Sequence, residues 1–535
     1  MDVGRKHDAE ATAVSGAGAK PVTAAATKTE HPGETSAAEL DAIMGRAVAA
    51  ARVAEAAPAA ERRRWLVAVA DALDADATEL VSIAMRESHL PEARLTGELA
   101  RTTAQLRLFD RVLDEGSYLE ATIDHPDPAG TPPVPDLRRM LVPLGVVAVF
   151  SASNFPFAFS VAGGDTASAL AAGNAVVVKA HPGHPELSAR TARTVVTALA
   201  GAGAPDGLFA VVGGFDVGPL LVAHPHTAAV GFTGSVPGGR ALFDIAAGRP
   251  SPIPFYGELG SLNPVVVTRD ALRQRGEELA RGLAESVTLG AGQFCTKPGV
   301  VFVPGGAGAD VTGAASRAGA GDAGVGDANA FAASVAEAVP DTTWTLLTPS
   351  IAEGFTRRTA EQLGAGAVAV AGASADGGVD GRVAPIILSA DVPTVLAHAE
   401  TLLEESFGPS TLLVRYADAD ELERALTALG GSLTATIHAE PHEEIGDLVA
   451  LLRARAGRIL FGGWPTGVAV SWAQHHGGPY PSTTSVHTSV GATAIRRWLR
   501  PVTYQTAPEA VLPPELREGN PLGIVRRVDG VLGRS

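Results

Sequence analysis

A chain of 535 residues with 46% hydrophobic and 19% charged residues can build several sizeable cores, roughly three domains by length. Its formal net charge of −16, without a basic stripe interleaved with aromatics, argues against a nucleic-acid surface. The single cysteine excludes an intramolecular disulfide and fits a reducing, cytoplasmic setting, and the N-terminus "MDVGRKHDAE" lacks the apolar run of a secretory signal.

Residues 1–36, rich in Ala, Gly, Thr and charge without apolar periodicity, read as a flexible tail. From Glu61 the pattern turns helical, with Trp65, Leu66, Val69, Ala70 and Leu73 on one face, and a second helix is expected over Ala93 to Leu113. The Pro-rich "HPDPAGTPPVP" (125–135) breaks it as a linker or edge hairpin. Leu141 to Gly164 carries no charge, but Pro143, Gly145, Asn154 and Pro156 interrupt it, so it reads as a buried strand and loop rather than a membrane span. Apolar strands at "LGVVAVFSA", "NAVVVKA", "GLFAVVGG" and "AAVGFTGS" then alternate with helices, the pattern of a parallel sheet covered on both faces. A second α/β pattern runs from about Asn263 to Gly478, with strands "NPVVV", "GVVFV" and "STLLVRY". Inside it, Gly305 to Ala338 is mostly Ala, Gly and Asp, expected as an inserted loop or loose helix.

The dinucleotide fingerprint G-x-G-x-x-G is missing after the first strand, where the chain reads "SNFPFAFS". "GFTGS" (231–235) ends a strand and opens a helix, so its N–H groups could face phosphate instead. Five features stand in order along the chain: Asn154 in "SASNFPF", the "GFTGS" turn, Glu258 in "YGELGSLNP", Cys295 in "GQFCTKPG", and Glu405 with Phe407 in "EESFGP". Each alone has an ordinary explanation: a turn cap, a surface ion pair, a buried thiol, a helix end.

Together, from about residue 60 to about 505, they resemble the aldehyde dehydrogenase superfamily. "FPFAFSVAGGDTASALAAGN", "VVKAHPGHP", "WPTGVAV" and "HGGPYPST" look most like its NADP-dependent branch, which contains 2-oxoglutarate-semialdehyde and some fatty-aldehyde dehydrogenases. The resemblance implies an α/β fold with two Rossmann-like parallel-sheet domains and a small oligomerisation element. Residues 37–125 and 144–260 would bind the dinucleotide, 261–483 would be catalytic, 126–143 with 484–510 would form the oligomerisation element of a homodimer or homotetramer, and 511–535 would be a C-terminal tail.

It also implies Cys295 as nucleophile, Asn154 with the Cys295 backbone N–H as oxyanion donors, and Glu258 as the base that lets water cleave the thioester. Lys179, Gly234, Ser235, Glu405 and Phe407 would hold the cofactor. NAD-preferring relatives often carry an acid where this chain has Pro182, so NADP becomes acceptable, with NAD as the alternative and no metal. The partner is a small aldehyde, with no nucleic acid and no membrane. Arg94, Arg101 and Gln105 share a helical face, and Arg101 with Phe159 and His476 are the candidate substrate contacts, a distal carboxylate being the expected ligand. His475 and His476 have a structural reading as well. Rival readings are a fatty-aldehyde dehydrogenase, a CoA-acylating or acyl-transfer enzyme, and an inactive structural homologue.

Overall fold

The structure, a computed structural model, describes residues 33–308, 323–372, 382–465 and 467–534. Of the expected N-terminal tail, residues 1–32 lie outside this range. Residues 33–36 lead straight into a helix: Thr35 exchanges hydrogen bonds with Gly213, and Ser36 and Glu39 form a reciprocal capping box.

That helix, α1 (Ala37–Ala56), is followed by α2 (Ala59–Ala75), α3 (Ala77–Ser88), α4 (Glu92–Glu115) and the short strand β1 (Thr122–Asp124). On α2 the buried face holds Trp65, Leu66, Val69, Ala70 and Leu73, as its periodicity requires. Gly116, at φ 83°, ends α4 in the left-handed region, where a Cβ would be strained. Asp127 bridges Val134 across the Pro-rich turn.

The first α/β unit comprises β2 (Leu137–Pro143), β3 (Val146–Phe150), α5 (Gly164–Ala172), β4 (Ala175–Lys179), α6 (Pro185–Gly201), β5 (Phe209–Val212), α7 (Val217–Ala223), β6 (Thr227–Thr233), α8 (Val236–Gly248) and β7 (Phe255–Glu258). Five of these strands form a parallel sheet in the order β5-β4-β3-β6-β7. The order reverses between β3 and β6, and ligands of such sheets bind beyond the strand ends at that crevice.

The second unit runs through β8 (Val265–Val267), α9 (Arg269–Thr288), β9 (Val300–Gly308), α10 (Ala323–Ala338), β10 (Trp344–Thr345), α11 (Pro349–Gly364), β11 (Val368–Ala371), β12 (Arg382–Val383), β13 (Ile386–Asp391), α12 (Val392–Ala397), α13 (Ala399–Leu402), β14 (Ser410–Asp418), α14 (Ala419–Ala428), β15 (Ser432–His438), α15 (Gly446–Arg453) and β16 (Ala456–Phe461). Its seven-stranded sheet, β11-β13-β14-β9-β8-β15-β16, is parallel except for β11. Within the segment read as an insertion, residues 309–322 lie outside the described range. The helix α10 buries Phe331 and Val335 in the core beside α9.

A third sheet takes β2 and adds β17 (Leu499–Gln505), β18 (Arg526–Val528) and β19 (Val531–Gly533), in the order β17-β2-β1-β18-β19. Residues 511–535, expected as a C-terminal tail, therefore supply two strands: β18 pairs in parallel with β1, and Leu516 is fully buried. The alternation there is too short to read locally, because each strand has three residues.

The third sheet is locked to the first by the turn before β17, where buried Arg497 donates to Asp165 of α5 and Trp498 donates to Ser168 at 2.7 Å. Removing one partner leaves the other charge buried and unpaired, so Asp165→Ala should cost about 3–5 kcal/mol. Urea unfolding followed by tryptophan fluorescence measures it, and a loss below about 1 kcal/mol would show that the pair does not hold this junction.

Candidate active site

The site gathers where the first sheet's carboxyl-terminal edge meets the loops of the second. Asn154 follows the end of β3, Gly234 and Ser235 follow β6, and Glu258 is the last residue of β7. β3 and β6 are the two strands that flank the reversal in strand order, so the topology alone delivers Asn154 and the Gly-Ser turn to one crevice.

Cys295 enters from the opposite side, in the turn before β9. Asn263, held at φ 52°, donates through Nδ2 to the carbonyls of Cys295 at 2.8 Å and Lys297 at 2.9 Å. Its Oδ1 accepts from Ser261 at 2.6 Å and from the Thr434 backbone, so one amide ties the cysteine turn to β15. Gly292 sits at φ 69°, and a Cβ there would come within 2.2 Å of the Gly408 carbonyl. The Gly-rich approach to the cysteine is thus a requirement of backbone packing against "SFGP".

Three groups meet in this crevice. Cys295 Sγ is 3.7 Å from His476 Nε2, and the same nitrogen is 3.8 Å from Glu258 Oε2. Desolvation disfavours the charged form of each. Burial, reinforced by the charges of Glu258 and Glu405, pushes the Cys295 thiol up to about 12, against the pull of Arg101 and Arg458. Burial holds Glu258 well above the usual carboxylate range, although Arg497 and a hydrogen bond from Ser489 oppose it. Burial and the neighbouring Arg458 and Arg101 hold His476 down at about 3. At rest the thiol and the imidazole are therefore neutral, and Glu258 is displaced toward its neutral form.

Asn154 is buried, and its Nδ2 donates to the Gln293 carbonyl at 3.0 Å, two residues before the cysteine. Gln293 is fixed in turn by the Leu347 N–H. The Asn154 carbonyl accepts from Arg94 at 2.6 Å, and Glu98 accepts from the Phe157 and Ala158 N–H groups at 2.8 and 3.0 Å. The Arg94–Arg101–Gln105 face of α4 is therefore interior rather than solvated. Arg101 lies 5.4 Å from the Phe159 ring centroid and donates Nε–H to the Val468 carbonyl at 3.1 Å. Its Nη1 and Nη2 are buried without a partner among the described residues.

A cavity of about 690 Å³, in the usual size range for ligand sites, runs from Pro182 and His181 past Gly234, Ser235, Glu405 and Phe407 to Cys295, Glu258, Asn154, Phe159 and His476. Ser235 caps α8 by accepting from Gly238 N–H, which presents a helix N-terminus to the cavity. A Cβ on Gly260 would come within 3.0 Å of Glu405 Oε2, so a side chain there would press on the Glu405 carboxyl. Glu405 also accepts from Ser261 N–H at 3.2 Å. Burial drives both it and the nearby Lys297 toward their neutral forms, while their mutual attraction opposes this. A long groove with a phosphate-favouring helix start at its middle and the thiol at its end fits a dinucleotide. Lys179 does not line it: it ends β4, two residues before His181, and burial lowers its proton affinity.

Sequence reasoning missed Asn263, Gln293, Glu98, Ser489 and Arg458. Asn263 stands in the quoted "GSLNP" and has φ 52°, the one local signal available, since Asn tolerates the left-handed region. The others act on residues outside their own local segments and leave no local trace.

A half-buried thiol at a dinucleotide-type sheet edge suits an enzyme that works through a covalent sulfur intermediate. The chain belongs to the aldehyde dehydrogenase family, whose sequence profile matches residues 18–503. It is 44% identical over 481 residues to alpha-ketoglutaric semialdehyde dehydrogenase 2 of Azospirillum brasilense, covering 89% of this chain and 88% of that protein. Alpha-ketoglutaric semialdehyde dehydrogenase of Acinetobacter baylyi is 41% identical over 477 residues, with 88% and 87% covered. In fold it is similar to an E. coli NADP-dependent enzyme (TM-score 0.72, 23% identity, 88% of this chain and 90% of that one). A 3,6-anhydro-L-galactose dehydrogenase solved with NADP is similar too (TM-score 0.70, 22% identity, 88% and 92%). The protein is an aldehyde-oxidising enzyme that uses NAD(P).

The neutral resting site has a direct consequence for reactivity. With the thiol raised to about 12, only the minor thiolate fraction reacts with an alkylating agent, and that fraction grows tenfold per pH unit. Without cofactor, the rate of Cys295 alkylation by iodoacetamide should climb with unit slope through pH 7–10. A plateau below pH 9 would mean that the thiol ionises normally.

Proposed function

We propose that the enzyme oxidises 2-oxoglutarate semialdehyde to 2-oxoglutarate. The observation that carries the reading is Arg101, a buried guanidinium whose Nη1 and Nη2 have no partner among the described residues and whose charge acts on the thiol. An aldehyde with a distal carboxylate would fill that fork. The names of the two curated relatives support the same substrate. A purely aliphatic aldehyde would leave the guanidinium buried and uncompensated.

Cys295 adds to the aldehyde carbonyl, and His476 Nε2, at 3.7 Å, is the nearest acceptor for the departing thiol proton. Because the resting thiol is un-ionised, that proton leaves as the carbon–sulfur bond forms. The developing oxyanion is received by the Cys295 backbone N–H and the Asn154 amide N–H that the Gln293 carbonyl does not use; losing one such donor typically raises a barrier by about 3–4 kcal/mol. The nicotinamide, when bound, supplies the hydride acceptor that turns the thiohemiacetal into a thioester. Ser235 and the start of α8 would hold its pyrophosphate, Glu405 and Phe407 the nicotinamide ribose, and Lys179 the adenosine ribose through the loop that follows β4.

Burial raises the basicity of Glu258, which suits it to take a proton from the water that cleaves the thioester. This favours a free acid over transfer to a second thiol. The cofactor is NADP: Pro182 replaces a carboxylate at the groove wall, and Asp216 is exposed and does not line the cavity. A higher kcat/KM with NAD than with NADP would overturn that preference. The chain acts as a homo-oligomer in the cytoplasm, with the third sheet as its assembly element, a reading that sedimentation as a monomer would exclude.

Two measurements test the mechanism and the substrate. Glu258→Gln should give a stoichiometric NAD(P)H burst followed by slow turnover, whereas Cys295→Ala gives neither. Loss of the burst in Glu258→Gln would place Glu258 at thiol activation. Arg101→Ala should raise KM for the semialdehyde acid by about 30-fold or more, leaving pentanal within about threefold. Equal effects on the two aldehydes would remove the carboxylate anchor.

A further inference from the structure

Arg458 belongs to none of the motifs read from the sequence. It lies on β16, the edge strand of the large sheet, in register with Thr434 of β15. The preceding Gly457 packs so tightly on the His475–Gly477 loop that a Cβ there would come within 2.0 Å of the Gly477 carbonyl. Strand β16 therefore carries Arg458 alongside the segment that holds His476. Its Nε and Nη2 are buried and have no hydrogen-bond partner among the described residues, and no carboxylate there forms an ion pair with it.

Arg101 is in the same condition. Its Nε is spent on the Val468 carbonyl, and Nη1 and Nη2 are unfilled. The carboxylate that faces it, Glu98, has Oε1 committed to the Phe157 and Ala158 N–H groups. Arg101 lies 5.4 Å from the centroid of the Phe159 ring, which lines the cavity, and Arg458 follows Gly457, which packs on the loop that holds His476. The charges of both, from α4 and β16, act on Cys295 and His476. Four buried donor atoms, two on each guanidinium, lack acceptors among the described residues.

A guanidinium offers two-pronged forks, and each fork matches a pair of oxygens in one plane. Arg101 presents its Nη1/Nη2 end, and Arg458 presents its Nε/Nη2 edge. A simple carboxylate has one planar pair of oxygens; a 2-oxo acid adds the keto oxygen, which forms a second planar pair with the neighbouring carboxylate oxygen. We propose that Arg458 is a specificity-determining residue that grips this second pair, so that the enzyme distinguishes a 2-oxo acid from a plain acid of equal length. The inference rests on the substrate reading above and extends it to a residue outside the motifs.

The test compares kcat/KM for 2,5-dioxopentanoate, 5-oxopentanoate and pentanal in the wild type, Arg458→Met and Arg458→Lys. The wild type should prefer 2,5-dioxopentanoate over 5-oxopentanoate, and that ratio should fall about tenfold or more in Arg458→Met, because a site built to hydrogen-bond a group loses its discrimination with the donor. Pentanal reports whatever the altered cation does to the thiol, so the loss specific to the 2-oxo acid is read relative to it, in KM rather than kcat. Arg458→Lys, which keeps the charge without the fork, should also lose the ratio. The inference is overturned if the ratio is unchanged in both variants, or if all three aldehydes suffer alike. It is likewise overturned if the ratio holds while Cys295 alkylation slows, which would assign the cation to the thiol. A wild type that handles pentanal as well as either acid would instead overturn the substrate reading, so the two failures are distinguishable.

Discussion

Desolvation of three titratable groups around one imidazole nitrogen governs this site. Sγ of Cys295 and Oε2 of Glu258 both stand within 3.8 Å of His476 Nε2, in a crevice walled by two sheets. Any one of them charged alone would face a large solvation penalty, and the penalty is lowest with all three neutral. In the proposed mechanism the thiol is therefore held in reserve, ionising only as a carbon–sulfur bond forms. The same burial raises the basicity of Glu258, as the proposed hydrolytic step requires.

Around this neutral centre the cations are unequal. Arg497 is matched by Asp165, and Arg94 by the Asn154 carbonyl and two aromatic faces, Phe155 at 5.0 Å and Phe294 at 4.6 Å. Arg101, beyond its bond to the Val468 carbonyl, and Arg458 keep buried donors without a partner among the described residues. Because unpaired buried charge is costly, the imbalance favours an anionic partner, in keeping with the proposed substrate. The charge pattern and the catalytic chemistry are thus two consequences of one water-poor pocket.

The scaffold makes the pocket through close backbone approaches that tolerate no side chain. Gly292 lies against Gly408, and Gly457 against Gly477. The first seats the cysteine turn, and the second brings β16 to the histidine loop. Asn263 then ties the cysteine turn to β15 with one amide, so the nucleophile is positioned by hydrogen bonds rather than by its own packing.

Much of this was legible locally. Apolar runs at "GVVAVF" and "AVVVK" announce strands buried on both faces, and the α2 face follows from 3.6-residue spacing, because a side chain's burial is set by the side of the element it occupies. Motif order named Asn154, Glu258 and Cys295, and chemistry explains why a thiol, an amide and a carboxylate belong together. The neutral state of that set, the meeting of His476 with Cys295 across 181 residues, the empty forks of Arg101 and Arg458, and the strands within 511–535 emerged only in three dimensions. Distances between remote residues depend on strand order and crossover, and a proton affinity depends on every atom that displaces water, so neither quantity exists until the chain has folded.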